Sequence, residues 1–214
     1  MTRFQRSLLT SVVIGLLPVP LRAQIDVGIQ GGVALGDLVI KTDAGSEDVN
    51  RRAGVVAGLL LDYRVSPRVQ LAIGGRLSQK GGTLPQGAGV DALARLSYAE
   101  VPFFVRLLPS AGGRVRPFVS AGGFLAFETN CDLRLEGEGQ AVDIGCEEAA
   151  ARKKADHGLL FGAGAQVDLG SLDLVLGADY SLGLRNISHT TSATEKTRTI
   201  ALTAGLSYTL SGGR

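Results

Sequence analysis

The amino-acid sequence predicts an all-β protein, an eight-stranded antiparallel up-and-down transmembrane β-barrel with short periplasmic turns and long extracellular loops. Three observations lead to this prediction. The N-terminus is typical of an exported protein, eight segments alternate apolar with small or polar residues, and the connections alternate between short and long. The 214 residues include 30 glycines and have a mean hydropathy of +0.21, which suits a membrane barrel with crowded walls.

Residues 1–23 have the composition of a cleavable signal peptide. Arg3 and Arg6 give a positive start, Ser7–Leu17 form a short apolar core, and prolines interrupt that core before a small residue ends the segment. A transmembrane helix needs roughly 20 consecutive apolar residues, and this run is shorter. We therefore expect the segment to be removed on export, at a site the sequence does not fix, and residues 24–214 to form the barrel domain.

Eight segments of about ten residues or more show the period of two that is typical of half-buried strands. They are Ile25–Leu35, Ala53–Tyr63, Val69–Gln79, Arg95–Leu108, Val115–Phe127, Gly158–Leu169, Leu172–Leu184 and Thr199–Leu210. An even number of strands places both chain ends on the periplasmic side.

The connections between these segments differ in length and composition. The short turns are Val65–Arg68, Pro109–Arg114 and Gly170–Ser171. The longer and more polar connections are Gly36–Arg52, Lys80–Ala94, Glu128–His157 and Arg185–Arg198. Short turns on one side and long loops on the other are typical of a membrane barrel.

A soluble barrel such as a lipocalin alternates equally well, but with its faces reversed. Lys and Glu usually dominate a solvated outer face, whereas the polar face here is mostly Gly, Ser, Thr and Gln, with Lys only in loops and at strand ends. The apolar face carries Val55, Leu59, Leu61, Leu71, Ile73, Val101, Phe103, Val105, Leu159, Phe161, Leu174 and Leu176. This contrast favours a lipid-facing apolar wall around a narrow, packed polar lumen.

A few charged residues lie on the predicted lumen face. They are Asp62, Arg76, Glu100, Arg106, Arg116 and Asp179. Buried charges must be paired, because loss of solvation is costly. We therefore interpret these residues as a lumen charge network that forms a structural plug. The alternative is a narrow, gated ion path.

Four motifs resemble the outer-membrane β-barrel domain family, often labelled porin-family proteins. The motifs are LDYRVSPRVQLAIGGRLSQKGG from Leu61, YAEVPFFVRLL from Tyr98, RPFVSAGGFLAF from Arg116 and YSLGLRNIS from Tyr180. They occur in the family's order and cover nearly the whole chain after the signal peptide. The resemblance implies a barrel in the cell outer membrane, in a family whose members mostly lack an assigned biochemical role. The sequence departs from the family in lacking a terminal aromatic residue, so Tyr208 or Leu210 would have to serve as the assembly signal.

The third long connection contains both cysteines, Cys131 and Cys146. Because an exported chain meets an oxidising compartment, we expect them to form a disulfide. The same connection contains Glu136, Glu138, Asp143, Glu147 and Glu148, which we interpret as a solvated acidic loop rather than a Ca²⁺ site. The chain's two histidines, His157 and His189, are too few for an ordinary zinc site.

The sequence predicts no catalytic, cofactor-binding or metal-binding residue and no cofactor. The best catalytic constellation is Ser188, His189 and Ser192 followed by Glu195, a weak candidate for a lipid hydrolase. The Gly-x-Gly pair at residues 162 and 164 precedes no helix, so crowding in the lumen explains it better than nucleotide binding does.

The charge balance argues against a nucleic-acid partner. The full chain has 22 basic and 20 acidic residues, but residues 1–23 contain three arginines and no acid, which leaves 19 basic residues against 20 acidic ones, a net charge of −1. We expect a monomer whose partners are outer-membrane lipids and lipopolysaccharide, the barrel assembly machinery and a surface ligand at the extracellular loops. The expected role is structural or adhesive, with a porin-like channel for small solutes or ions and a lipid hydrolase as alternatives.

Overall fold

The computed structural model describes residues 24–42, 45–48, 50–87, 90–110, 112–137, 140–145, 154–185 and 193–211. These residues form ten β-strands and no helix. The strands are β1 (Gln24–Thr42), β2 (Gly45–Asp48), β3 (Asn50–Ser66), β4 (Val69–Gly87), β5 (Val90–Leu107), β6 (Val115–Gly137), β7 (Gln140–Gly145), β8 (Ala155–Asp168), β9 (Leu172–Gly183) and β10 (Ala193–Ser211). The predicted signal peptide lies outside the described residues and stays a prediction. In the described part of the chain, no helix has the length and apolarity to cross a membrane.

Eight of the strands close into an antiparallel barrel, which confirms the predicted fold class. Their order is β10, β9, β8, β6, β5, β4, β3 and β1, and β1 also pairs with β10. The short strands β2 and β7 pair only with β1 and β6 and lengthen two hairpins. Closure gives each barrel strand a neighbour on both sides, so the hydrocarbon region contains no open sheet edge.

The stagger of the barrel follows from one circuit of paired residues. From Asp26 the partners are, in turn, Asp62, Ala72, Phe104, Gly122, Leu160, Ser181, Thr199 and finally Gly36. Gly36 lies ten residues beyond Asp26 on the same strand. Because side chains alternate between faces with a period of two, an even offset keeps the same residues inside after a full turn.

The outer wall is apolar, as predicted. Leu59, Ile73 and Phe103 are about half exposed, each on the face opposite to the lumen. On β10, Ile200, Leu202, Leu206, Tyr208 and Leu210 share one face, and buried Thr199, Ala201 and Ser207 share the other. A continuous exposed apolar surface around a closed barrel is typical of a wall in contact with lipid.

The predicted long loops are partly wrong, because much of their length is strand. β4 continues to Gly87 and pairs with β5 as far as Val90, and β6 continues to Gly137. β1 likewise runs to Thr42 and meets β10 from Ala193. An antiparallel ladder satisfies its own backbone hydrogen bonds, so a hairpin can continue past the apolar band without an apolar face, which was the feature used to place the strands.

Two of the predicted short turns need glycine for conformational reasons. Gly113 lies between β5 and β6 with φ of 99°, and Gly170 lies between β8 and β9 with φ of 101°. A side chain is strained in this left-handed region, so glycine allows the reversal at both positions.

The assigned faces can be tested on β5. Phe103 is 46% exposed on the lipid side, in the middle of the apolar run of that strand. Phe103→Lys should reduce the free energy of unfolding in bilayers by about 2–4 kcal/mol, because the charge would lie near the midplane. Urea titration of protein reconstituted in vesicles measures this change.

Gln79→Lys is the matched control, because Gln79 faces outward above the apolar run of β4. It should fold like the wild type. Tolerance of Phe103→Lys in bilayers would show that this face does not contact lipid.

Candidate functional site

The candidate site is the barrel interior, into which alternate residues of each strand project. On β5, residues 96, 98, 100, 102 and 106 are buried and Phe104 is half-buried, all on the lumen face, whereas the residues that alternate with them face outward. An eight-stranded barrel is just wide enough for side chains to fill its interior. The interior side chains therefore decide whether anything passes through.

Four charged side chains meet at mid-height in the lumen. Arg76 and Glu100 are direct cross-strand partners on β4 and β5, and Arg76 Nε donates a hydrogen bond to Glu100 Oε2 at 2.6 Å. Lys80 lies on the same face of β4, and its Nζ is 2.5 Å from Glu100 Oε1. Across the barrel on β9, Asp179 Oδ2 is 3.8 Å from Arg76 Nη1. Each oxygen of the Glu100 carboxylate therefore contacts a different cation.

The next group, toward the periplasm, is centred on Arg106. Its Nη1 donates to Asp62 Oδ1 at 3.0 Å and to Gln70 Oε1 at 3.2 Å. Gln166 Nε2 donates to the same Gln70 oxygen at 3.0 Å, which connects β8 to β4. The guanidinium carbon also lies 4.5 Å from the centroid of the Phe118 ring, within cation–π distance. Buried Arg106 thus has both an anionic and an aromatic partner.

Two ion pairs lie at the periplasmic mouth. Arg64 Nη2 donates to Asp26 Oδ2 at 3.0 Å, and Arg116 Nη2 donates to Asp173 Oδ2 at 2.7 Å. The Thr209 hydroxyl donates to the other oxygen of Asp26 at 2.6 Å. Both arginines line a polar cavity of about 380 Å³ that forms a vestibule at this end of the barrel.

Toward the extracellular end, part of the lumen is apolar. The cluster consists of Leu96, Tyr98, Phe124, Ala126 and Leu160, with Phe104 and Cys131 packed against it. The predicted polar lumen is therefore only partly correct. Lys80 lies at the boundary between the two regions, with Nζ 4.8 Å from the Phe124 ring centroid and 5.2 Å from that of Tyr98.

A separate polar contact lies beside this apolar cluster. Asp156 is buried, its Oδ2 accepts a hydrogen bond from the Thr197 hydroxyl at 2.7 Å, and its Oδ1 accepts one from the His157 backbone N–H at 2.8 Å. The bond from Thr197 connects β8 to β10 across β9, whereas the bond from His157 is local to β8. They satisfy the carboxylate without an ion pair among the described side chains.

Glycines opposite the charged groups make room for them, as the Gly-x-Gly pattern suggested. A Cβ on Gly162 would lie 2.4 Å from Asp179 Oδ1 and 2.6 Å from Ser120 Oγ. A Cβ on Gly164 would lie 2.6 Å from the Phe118 ring. Neither position can take a larger residue without displacing a side chain of the lumen.

The six predicted lumen charges all project inward, but in three groups rather than one. Arg76, Glu100 and Asp179 form the middle group, Arg106 and Asp62 the second, and Arg116 lies at the mouth with Asp173. Sequence analysis missed Lys80, because it was assigned to a loop. Its alternation with Arg76 and Ser78, continued one step past Gln79, would have placed it in the lumen.

The structure says less about the other candidates. Cys131 lies in β6 rather than in a loop, while Cys146 lies outside the described residues, so the disulfide stays a prediction. It is consistent with the register, because Asp132 and Gly145, the chain neighbours of the two cysteines, face each other. Ser188, His189 and Ser192 also lie outside the described residues, as do the side chains of the acidic third loop and of Glu195.

The chemistry available in the described lumen is electrostatic. Its carboxylates are held by arginine, lysine or hydroxyl groups, and no group of three or more His, Cys, Asp or Glu among the described residues is placed to bind a metal ion. Such groups can hold the wall together and obstruct the lumen.

The fold has clear relatives among solved structures. It is similar to the outer membrane protein OprG from Pseudomonas aeruginosa, with a TM-score of 0.56 and 14% identity over 87% of this chain and 96% of that one. It is also similar to the outer membrane protein AlkL in lipid bilayers, with a TM-score of 0.50 and 14% identity over 89% of this chain and 92% of that one. At these identities the similarity shows the fold alone.

Among curated proteins, no sequence is significantly similar to this chain. Residues 20–189, by contrast, match the family described as outer membrane protein beta-barrel domain. The match covers most of the chain and agrees with the resemblance of its four motifs. The protein resides in the cell outer membrane, and it belongs to the outer membrane protein beta-barrel domain family.

Proposed function

We propose that the protein is a closed scaffold that presents extracellular β-hairpins to a surface ligand, in a structural or adhesive role. Its lumen does not conduct, and the proposal assigns it no catalytic step. Paired side chains close the lumen, and the strands that continue past the apolar band present the contact surface.

The observation that carries the proposal is the stack of paired side chains across the lumen. An ion that crosses the barrel would have to pass the groups of Arg64 and Arg116, of Arg106, and of Glu100, and then the apolar cluster. Breaking a buried pair by removing one partner costs about 3–5 kcal/mol, because a charge is left uncompensated. Displacement of these pairs by a passing ion is therefore expected to be rare.

The hairpins that extend past the apolar band support the proposed contact surface. On β4 the last large apolar residue that faces lipid is Leu77, yet the strand continues to Gly87, and on β6 Phe127 is followed by strand to Gly137. Ten residues of strand span roughly 33 Å. These hairpins therefore lift their turns well away from the membrane, where a contact surface is accessible.

A channel is the second candidate, and one observation favours it. The vestibule of about 380 Å³ gives solutes access to the periplasmic mouth, and the Arg76–Asp179 contact of 3.8 Å is the longest ion pair between described lumen side chains. A rearrangement at that contact would open the middle group first. Conductance measurements separate this candidate from the closed scaffold.

Wild-type protein should show no steady conductance in planar lipid bilayers. Glu100→Ala removes the anion shared by Arg76 and Lys80, so the two cations should repel each other and admit brief, small openings. Gln79→Ala, on the outer face, should behave like the wild type. A stable open pore in the wild type would replace the closed scaffold with a channel.

A shortened β4–β5 hairpin tests the contact surface. Gly82 and Ala94 face each other in register, so replacing residues 83–93 with an Asn-Gly turn preserves the pairing below them. The variant should still migrate faster on unheated detergent gels, because the barrel remains closed. Expressing cells should lose autoaggregation and retention on glass coated with matrix protein.

Thr83→Ser is the matched control, since it changes one residue of the replaced segment conservatively and keeps β4 and β5 at full length. Retention and autoaggregation should then stay at the wild-type level. If the shortened variant adheres as well as this control, the β4–β5 hairpin is not the contact surface.

A further inference from the structure

The outer wall of the barrel carries two exposed cations at the extracellular end of β10. Arg198 and Lys196 face outward and alternate with buried Thr197 and Thr199. Below them on the same face lie the apolar residues Ile200 and Leu202. Neither cation forms an ion pair with a described side chain; in the backbone register Asp37 of β1 lies opposite Arg198, and Val39 lies opposite Lys196.

The other walls differ at the corresponding position. The first described polar residue that faces outward above the apolar run is Gln79 on β4, Ser97 on β5 and Thr129 on β6. On β8, next but one to β10, it is His157. At the positions compared, the described cations are therefore those of β10, Lys196 and Arg198.

A groove runs down the same wall within the apolar band. One cleft of about 600 Å³ is lined by outward-facing Ala163, Ala178 and Ala204, with Leu176 and Leu202 among its larger neighbours. A second cleft of about 520 Å³ adjoins it toward the periplasm, sharing Gly31 and Ala204. Small residues thus leave an elongated depression in the lipid-facing surface, and lipid must fill this depression.

The cations and the groove lie within the reach of one molecule. Leu202, at the upper cleft, is four residues from Arg198, or roughly 13 Å along the strand. Arginine binds phosphate oxygens with two parallel hydrogen bonds, and lysine adds a mobile positive charge. An apolar chain in the groove would therefore place an attached phosphate beside Arg198 and Lys196.

We infer that this wall binds a phosphorylated glycolipid of the outer leaflet, lipopolysaccharide, with a phosphate on Arg198 and Lys196 and an acyl chain in the groove. Charge complementarity selects a phosphate-bearing occupant, and the position of the cations opposite the short periplasmic turns selects the outer leaflet. The site lies on the outer wall, so it is separate from the lumen and the hairpin surface. It would select particular lipids as neighbours of the barrel.

Native mass spectrometry of the delipidated protein in mild detergent tests this site. The probes are lipid A with its phosphates, the same lipid dephosphorylated, and phosphatidylglycerol. Wild-type protein should retain phosphorylated lipid A about tenfold more strongly than either of the other two. Inorganic phosphate at the same concentration should not displace it, because the acyl chain also contributes.

Two variants separate the headgroup contact from the groove. Arg198→Gln with Lys196→Gln should reduce retention of phosphorylated lipid A about tenfold and leave the dephosphorylated lipid unaffected. Ala178→Leu should fill the groove and reduce the retention of phosphorylated and dephosphorylated lipid A equally. The controls are Arg68→Gln, in a periplasmic turn, and Ala121→Leu, on the outer face of β6; both should match the wild type.

Equal retention of all three lipids by the wild type would overturn the inference. So would a charge variant that retains phosphorylated lipid A like the wild type. Displacement by inorganic phosphate alone would reduce the site to a simple anion contact and would contradict the role of the groove.

Discussion

The carboxylate of Glu100 holds the middle of the barrel together, because it is the shared partner of Arg76 and Lys80. All three side chains are buried, and two cations brought together without an anion would repel each other at low dielectric. Lys80 in turn lies against the rings of Tyr98 and Phe124, which begin the apolar cluster. Lys80 thus connects the polar half of the lumen to the apolar half.

The lumen side chains need small residues on the wall opposite them. Glycines on β8 leave the space that Asp179 and Phe118 occupy, and larger residues there would collide with them. Small residues recur on the outer face of the same wall, at Ala163, Ala178 and Ala204, where they form the lipid groove. The lipid-facing surface is therefore uneven, because large residues such as Leu159 and Phe161 stand beside a depression lined by these alanines.

Alternation within each strand was enough to predict eight strands, their faces and the inward direction of Glu100 and Arg106, because a period of two is a local property. It could not predict which charges meet, since the stagger of the barrel decides that Arg116 pairs with Asp173 rather than with the middle group. It also failed beyond the apolar run of each strand, where a strand needs no apolar face, and so Lys80, which follows that run on β4, was assigned to a loop. The apolar cluster was missed because Leu96 and Phe124 lie on the face that elsewhere carries polar residues.

A double-mutant cycle measures whether Glu100 and Lys80 act as one unit. The free energy of unfolding in lipid vesicles would be measured by urea titration for the wild type, Glu100→Gln, Lys80→Met and the double variant. Strong coupling is expected, with the double variant at least about 1 kcal/mol more stable than additive effects would give, because Glu100→Gln leaves buried Lys80 without its counter-charge and Lys80→Met leaves one oxygen of Glu100 without its cation. Additivity within about 0.5 kcal/mol would contradict it.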